Sequence, residues 1–140
     1  MSIAADHKLR WFLPALTVMA SIFALSSQHR VPTAGFNIHL VAISGHLVAY
    51  GVLAIALLVA FEQTGTGSRQ AALLAFGGAA VYGLTDELHQ YFVPGRHADL
   101  VDLITNAIGA AVFLWVFTRV RANPRFSVLG RMLSQSSRRA

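Results

Sequence analysis

The sequence predicts an all-α, polytopic membrane protein with four transmembrane helices in a compact bundle, both termini in the cytoplasm, and a basic cytoplasmic C-terminal tail. Of its 140 residues, 55% are hydrophobic and only 12% are charged, about half the charged share of soluble domains. The apolar residues form four runs that are each long enough to cross a bilayer. The basic residues lie mainly on one side of those runs, as they do in proteins of fixed membrane orientation.

The four apolar runs are predicted to be helices. Crossing roughly 30 Å of hydrocarbon takes about 17 to 25 helical residues, and lipid cannot satisfy the open backbone groups of isolated strands. Pro14 falls in the first turn of the first run, where a missing amide hydrogen costs little. The runs cover about residues 11–27, 38–61, 71–88 and 100–118. Residues 1–118 therefore form one membrane domain, and residues 119–140 form a basic tail that is a candidate amphipathic helix.

Small residues spaced four apart are expected where the predicted helices pack closely, because they let two backbones approach. Three such pairs stand in the predicted helices: Gly45/Ala49, Ala79/Gly83 and Ala107/Ala111.

The count of lysine and arginine on each side sets the predicted orientation. Nine of these residues (Lys8, Arg10, Arg69 and six in the tail) lie on one side, whereas only Arg30 and Arg96 lie on the other. The side with nine is predicted to be cytoplasmic. A cleavable leader ending near "ALS" at 24–26 is an alternative for the first run, and it leaves the orientation of the later helices unchanged.

The composition also bounds partners and cofactors. A basic tail beside apolar runs favours an anionic membrane surface over nucleic acid, so membrane lipid is the expected partner. The sequence has no cysteine, which excludes disulfides and thiolate metal sites.

Polar residues of all four predicted helices fall at one depth, near the outer face. Spacings of three, four and seven residues put most of them on single helix faces, with Glu87 about a quarter turn from the face of its neighbours. Ionisable groups at mid-bilayer cost about 2.5–3.5 kcal/mol each, so they face the bundle interior or water. The sequence therefore predicts an outward-facing polar pocket. Its members are Ser26, Ser27, Gln28, His39, His46, Tyr50, Asp86, Glu87, His89, Gln90, Asp99, Asp102, Asn106 and Gly109.

Several residues in or near this predicted pocket also have simple structural interpretations. Asp99 is expected to cap the fourth helix, and Pro94–Gly95 to form a turn. His29, His39 and His97 are expected at the interface rather than in a binding site. Arg96 either neutralises nearby acids or holds an anionic group in a bidentate fork.

The candidate site is assigned by side-chain chemistry. Asp86, Glu87 and His46 are the candidates for acid or base catalysis. No cofactor is predicted, and the candidate metal ligands His46, Asp86, His89 and Asp102 form no recognised tight motif. The candidate ligand-binding residues are Gln28, His46, Tyr50, Asp86, Glu87, Gln90, Arg96, Asp102 and Asn106.

Three segments resemble the VanZ-like family, small bacterial membrane proteins with four helices. The segments are "SSQ" at 26–28, "HLVAYG" at 46–51 and "DELHQYFVPGRHADLVDLITNAIG" at 86–109, and the likeness covers about residues 11–118. The third segment contains the Asp-Glu-x-x-Gln, Pro-Gly-Arg and Asp-x-x-x-Asn-x-x-Gly elements of the family. Ser44-Gly45 stand where many members have an Asp-Lys pair, so any role of that lysine is lost here or passes to Arg96 or a histidine.

The resemblance implies an inner-membrane protein with a role in the cell envelope, which in the family's prototype is reduced susceptibility to a lipophilic glycopeptide. It implies no established reaction. Three hypotheses therefore stay open: binding or processing of a polar, anionic lipid or envelope-precursor headgroup; a cation or proton site, with zinc, manganese or calcium as the metals; and a non-catalytic accessory subunit of a larger membrane complex, in which the polar cluster holds the bundle together.

Overall fold

The computed structural model describes residues 8–28 and 37–123. These residues form four α-helices and no strand, which confirms the all-α prediction for this part of the chain. A 3-10 turn at Arg10–Phe12 leads into the helices, which are α1 (Leu13–Ser26), α2 (Ile38–Gln63), α3 (Ser68–Tyr91) and α4 (Leu100–Ala122). The first seven residues, the predicted connection at 29–36 and most of the basic tail, 124–140, lie outside the described residues.

Side-chain caps fix where two of the helices begin. The side chain of Asn37 accepts a hydrogen bond from the backbone N–H of His39 at 2.9 Å, at the start of α2. Asp99 Oδ1 accepts from the backbone N–H of Val101 at 2.8 Å, at the start of α4. Each cap satisfies an amide that has no partner within the helix. The predicted capping role of Asp99 is confirmed.

α2 lies at the centre of the bundle, because it contacts each of the other three helices and packs most extensively against α4. The α2–α4 contact is close at Gly109, where any side chain would collide with the backbone of Leu47. α3 presents a stripe of small buried residues at four-residue spacing. The stripe consists of Ala71, Ala75, Ala79 and Gly83.

The structure corrects part of the predicted small-residue packing. The Ala79/Gly83 pair is buried as expected. Gly45 has open space around it, so the Gly45/Ala49 pair does not mark a close helix contact. On α4 the buried small residues are Gly109 and Ala110 rather than Ala107 and Ala111, because the stripe that carries Asn106 is the one that faces α2.

The surface of the bundle is strongly apolar. Within the described residues, the segments His39–Gln63 and Leu100–Ala122 are long and apolar enough to cross a membrane, yet only 28% of the tested window of each is buried. A core helix of a soluble protein is mostly buried. These two helices instead expose apolar side chains, which are stable only in another apolar environment. α1 is a shorter apolar helix, and the C-terminal part of α3 carries acidic and amide side chains.

Candidate functional site

A cavity of about 130 Å³ lies between α1, α2, α3 and the turn that precedes α4. Ile22, Leu25, Ala42 and Ala49 form an apolar part of its lining. The remaining lining residues are polar or aromatic, and five of them are among the predicted ligand-binding residues. Its polar lining consists of Ser26, Gln28, His46, Tyr50, Asp86 and Arg96.

A tight turn brings Arg96 to this cavity. The backbone N–H of Arg96 donates to the carbonyl of Val93 at 3.1 Å, and Gly95 takes a φ of 82°, which favours glycine because it has no Cβ. The predicted turn at Pro94–Gly95 is thereby confirmed. Arg96 is partly buried, and its Nε is buried without a hydrogen-bond partner. One guanidinium donor of this cavity-lining residue is therefore desolvated and unpaired.

Asp86 supplies an acidic group to the same cavity. It is 3% exposed, and its Oδ2 accepts a hydrogen bond from Gln90 Nε2 at 3.1 Å, one helical turn away. Asp86 Oδ1 has no partner. The buried hydroxyl of Tyr50 lies close enough to Asp86 to interact with it, although neither this hydroxyl nor Oδ1 has a hydrogen bond of good geometry. This wall therefore offers an acceptor and a hydroxyl donor to an incoming polar group.

A second polar cluster lies on the α4 side of His46. His46 Nδ1 is 2.8 Å from Asn106 Oδ1, and its Nε2 is 3.6 Å from Asp102 Oδ2. Glu87 is buried, and its Oε2 accepts from the backbone N–H of Asp99 at 3.0 Å. Ligand atoms of His46, Glu87 and Asp102 all lie within 4.8 Å of one another. All nine predicted ligand-binding residues thus belong to the cavity wall or to groups next to it.

Of the four candidate metal ligands, Asp86 and His89 are not part of the group formed by His46, Glu87 and Asp102, and His89 instead faces α1. Its Nε2 lies 3.1 Å from the hydroxyl of Ser27, and its ring stacks on Phe23 with centroids 4.5 Å apart. His89 therefore links α3 to the end of α1. His39 and His97 are exposed, consistent with the interfacial role predicted for them, whereas His29 lies outside the described residues.

Two polar contacts could not be found from the sequence. Glu87 is held by the backbone N–H of Asp99, and the hydroxyl of Tyr82 donates to the backbone carbonyl of Met19 at 2.6 Å. In each case one partner is a backbone group, which every residue carries. For Tyr82, the signal available in the sequence is its position four residues before Asp86 on the same predicted helix.

The opposite end of the bundle carries basic groups. Lys8 Nζ donates to the backbone carbonyl of Thr64 at 3.4 Å, and Arg121 Nη1 lies 2.7 Å from Glu62 Oε2. The guanidinium of Arg119 lies over the ring of Trp115. Arginine and tryptophan are typical of the region where a helix leaves the hydrocarbon.

A small helical bundle with an apolar surface, basic groups at one end and a polar cavity toward the other indicates a membrane protein with a site inside its bundle. The VanZ/LLP1 family model matches residues 6–121, and the chain belongs to that family. This confirms the resemblance drawn from the three sequence segments. Searches of curated proteins and of solved structures gave no match.

Proposed function

We propose that this VanZ/LLP1 family protein lies in the bacterial inner membrane, crosses it four times and keeps both termini in the cytoplasm. Two helices qualify as spans by length and composition. The case for α3 rests on its exposed apolar side chains, since Leu73, Val81 and Leu88 are each at least 60% exposed. Side chains of this kind are stable in lipid and costly in water. The basic end with Arg119 and Arg121 supports a cytoplasmic position for that end.

Single cysteines test this topology, because the natural chain contains none. Thr66→Cys places a thiol in the connection before α3, and His97→Cys places one in the exposed connection before α4. A membrane-impermeant maleimide added to intact spheroplasts should label His97→Cys and leave Thr66→Cys unlabelled until the membrane is opened. The reverse pattern would show that the proposed orientation is inverted.

We further propose that the cavity binds the polar, anionic headgroup of a lipid or of a lipid-linked envelope precursor. The observation that carries the proposal is the unpaired, buried Nε of Arg96, a residue that lines the cavity. Arginine binds phosphate and carboxylate groups through charge-assisted hydrogen bonds. The cavity volume of about 130 Å³ is below the roughly 300–1,000 Å³ of pockets for drug-sized ligands. It therefore suits a small headgroup rather than a whole large molecule.

The two-sided lining of the cavity supports a lipid rather than a free ion. Ile22, Leu25 and Ala42 give it an apolar wall, and Arg96 and Asp86 give it a polar one. An amphiphile can meet both walls at once. Tyr50 and Asp86 offer unpaired oxygens that could hydrogen-bond to headgroup hydroxyls. Processing of the bound group would require Asp86, Glu87 or His46 to transfer a proton.

The test compares Arg96 with an arginine at the other end of the bundle. Purified protein in nanodiscs is titrated with a polyprenyl phosphate and with phosphatidylglycerol, which are anionic. Zwitterionic phosphatidylcholine, which has no net charge, is the reference. A hydrogen bond to a charged group contributes about 1.5–3 kcal/mol, so Arg96→Ala should weaken binding of the anionic lipid about 10-fold or more. Arg119→Ala, which removes an equal charge over Trp115, should leave binding unchanged.

Two results would count against headgroup binding. One is wild-type protein that shows no preference for anionic over zwitterionic lipid. The other is equal losses in Arg96→Ala and Arg119→Ala, which would mean that only net charge matters. A cellular measurement accompanies them: if the site acts in the envelope, Arg96→Ala should change glycopeptide susceptibility while protein abundance in the membrane stays the same.

A non-catalytic accessory subunit is the second candidate function, and the bond between His46 and Asn106 favours it. This bond joins α2 to α4, as expected of polar residues that fix helix packing. A cluster with only that role should satisfy its own hydrogen bonds. Here Asp86, Glu87 and Arg96 each keep a buried polar atom without a partner, which supports a binding role. Purification of a stable, lipid-binding monomer would exclude an obligate subunit.

A further inference from the structure

His46, Glu87 and Asp102 bring an imidazole and two carboxyl groups together from three different helices. Their candidate ligand atoms lie within 4.8 Å of one another, and the residues are separated by 41 and 15 positions in the sequence. Close carboxyl groups repel each other when ionised. Their proximity therefore favours a protonated carboxyl group or a compensating positive charge, and no arginine or lysine of the described residues forms an ion pair with any of the three.

The hydrogen bond to Asn106 orients the imidazole toward Asp102. Asn106 Oδ1 lies 2.8 Å from His46 Nδ1, so the neutral tautomer that donates this hydrogen bond carries its proton on Nδ1 and its lone pair on Nε2. Nε2 faces Asp102 Oδ2 at 3.6 Å, beyond the usual 2.7–3.2 Å of an N–H···O bond. Two electron-rich atoms face each other at a separation that leaves room for a cation between them.

Glu87 supplies the second, independent observation. It is 5% exposed, and its Oε2 accepts from the backbone N–H of Asp99 at 3.0 Å. Its Oε1 is buried and has no hydrogen-bond partner. A buried carboxylate oxygen without a partner is costly, and coordination to a metal ion would remove that cost.

We infer that His46, Glu87 and Asp102 bind one divalent transition-metal ion, with Zn²⁺ the best fit. Nitrogen and oxygen ligands lie about 2.0–2.2 Å from zinc in a tetrahedral site, which puts two ligand atoms roughly 3.3–3.6 Å apart. The separation of 3.6 Å between His46 Nε2 and Asp102 Oδ2 falls at the upper limit of that range, and the three candidate ligand atoms, which lie within 4.8 Å of one another, would have to draw closer around the ion. Three protein ligands leave a fourth position for water or a ligand, as in catalytic zinc sites.

Two neighbouring groups would act as outer-shell partners of this site. A metal-bound histidine usually donates its other ring N–H to an oxygen, and bound carboxylates are hydrogen-bonded in turn. Asn106 Oδ1 and the backbone N–H of Asp99 occupy these two roles. The imidazole also favours zinc over calcium and magnesium, which take oxygen ligands. The inference does not depend on headgroup binding at the Arg96 cavity.

The experiment measures zinc binding by full-length protein that carries no histidine tag. Protein stripped with a chelator is dialysed against ZnCl₂ or CaCl₂, and bound metal is counted by mass spectrometry. The wild type should hold about one equivalent of zinc and far less calcium. Glu87→Gln and His46→Gln should each lower zinc affinity at least tenfold. His89→Gln and Glu62→Gln remove the same side-chain types outside the group, and should bind zinc like the wild type.

Circular dichroism of each variant separates loss of the site from loss of the fold. The wild-type measurement decides the matter even if every variant unfolds. Less than a tenth of an equivalent of zinc on well-folded wild type would overturn the inference and leave the contact between His46 and Asp102 as one made without a metal ion. Equal zinc loss in Glu87→Gln and in the Glu62→Gln control would also overturn it, because the bound ion would then be held by general surface charge.

Discussion

Replacing Gly109 by alanine tests the packing that positions the site, because this glycine lies where α4 meets the backbone of α2. A Cβ here would collide with the carbonyl oxygen and Cα of Leu47, and backbone cannot rotate aside as a side chain can. Overpacking costs about 1–3 kcal/mol, and a backbone collision puts it near 3. The better helix propensity of alanine returns about 1 kcal/mol. The expected net loss is about 2 kcal/mol, or roughly a 30-fold smaller ratio of folded to unfolded protein.

The measurement is unfolding in mixed micelles, followed by circular dichroism as the fraction of denaturing detergent rises. Gly45→Ala is the matched control, since its new Cβ has open space around it. Only helix propensity should act there, and it should raise the free energy of unfolding by about 0.5–1 kcal/mol. If both variants shift stability in the same direction, the described contact between α2 and α4 is wrong.

Three further outcomes are expected. Tyr82→Phe removes the hydrogen bond to a backbone carbonyl of α1 and should lower the unfolding free energy by about 1 kcal/mol, measured in the same micelles. Arg121→Ala breaks the partly exposed pair with Glu62 and should lower the unfolding free energy by no more than about 1 kcal/mol. Added salt screens this pair in the wild type, so the difference between wild type and variant should shrink as salt is raised. Asn106→Ala frees the His46 ring and should weaken zinc binding by about 10- to 100-fold, measured by equilibrium dialysis.

The helices and their order could be predicted from the sequence because apolar runs of membrane length have few alternatives. The predicted run at 71–88 became the longer α3, Ser68–Tyr91. A hydropathy window weakens where polar residues accumulate, whereas the helix continues while its backbone hydrogen bonds persist, as α3 does to Tyr91. Polar residues in the sequence indicate where a helix leaves the apolar environment, but they do not indicate the residue at which the helix ends.

The grouping of the candidate site residues in space was largely predictable, but the hydrogen bonds between them were not. Helical spacing put Asp102 and Asn106 on one stripe and His46 and Tyr50 on another, and the structure brings these stripes together. The spacing also grouped His89 with Asp86, although His89 turns toward Ser27. Residues three apart differ by about 60° around the helix axis, enough to face different neighbours. That choice depends on helix rotation, which the sequence pattern leaves undetermined.

The position of His46 links the two proposed sites thermodynamically. Its ring lines the cavity beside Arg96 and also belongs to the three-residue cluster with Glu87 and Asp102. An ion that immobilises this ring changes the shape and charge that a headgroup meets, and a headgroup that shifts the ring changes the affinity for the ion. By reciprocity the two effects must be equal in free energy. Through this one imidazole, the occupancy of either site would change the affinity of the other site for its ligand.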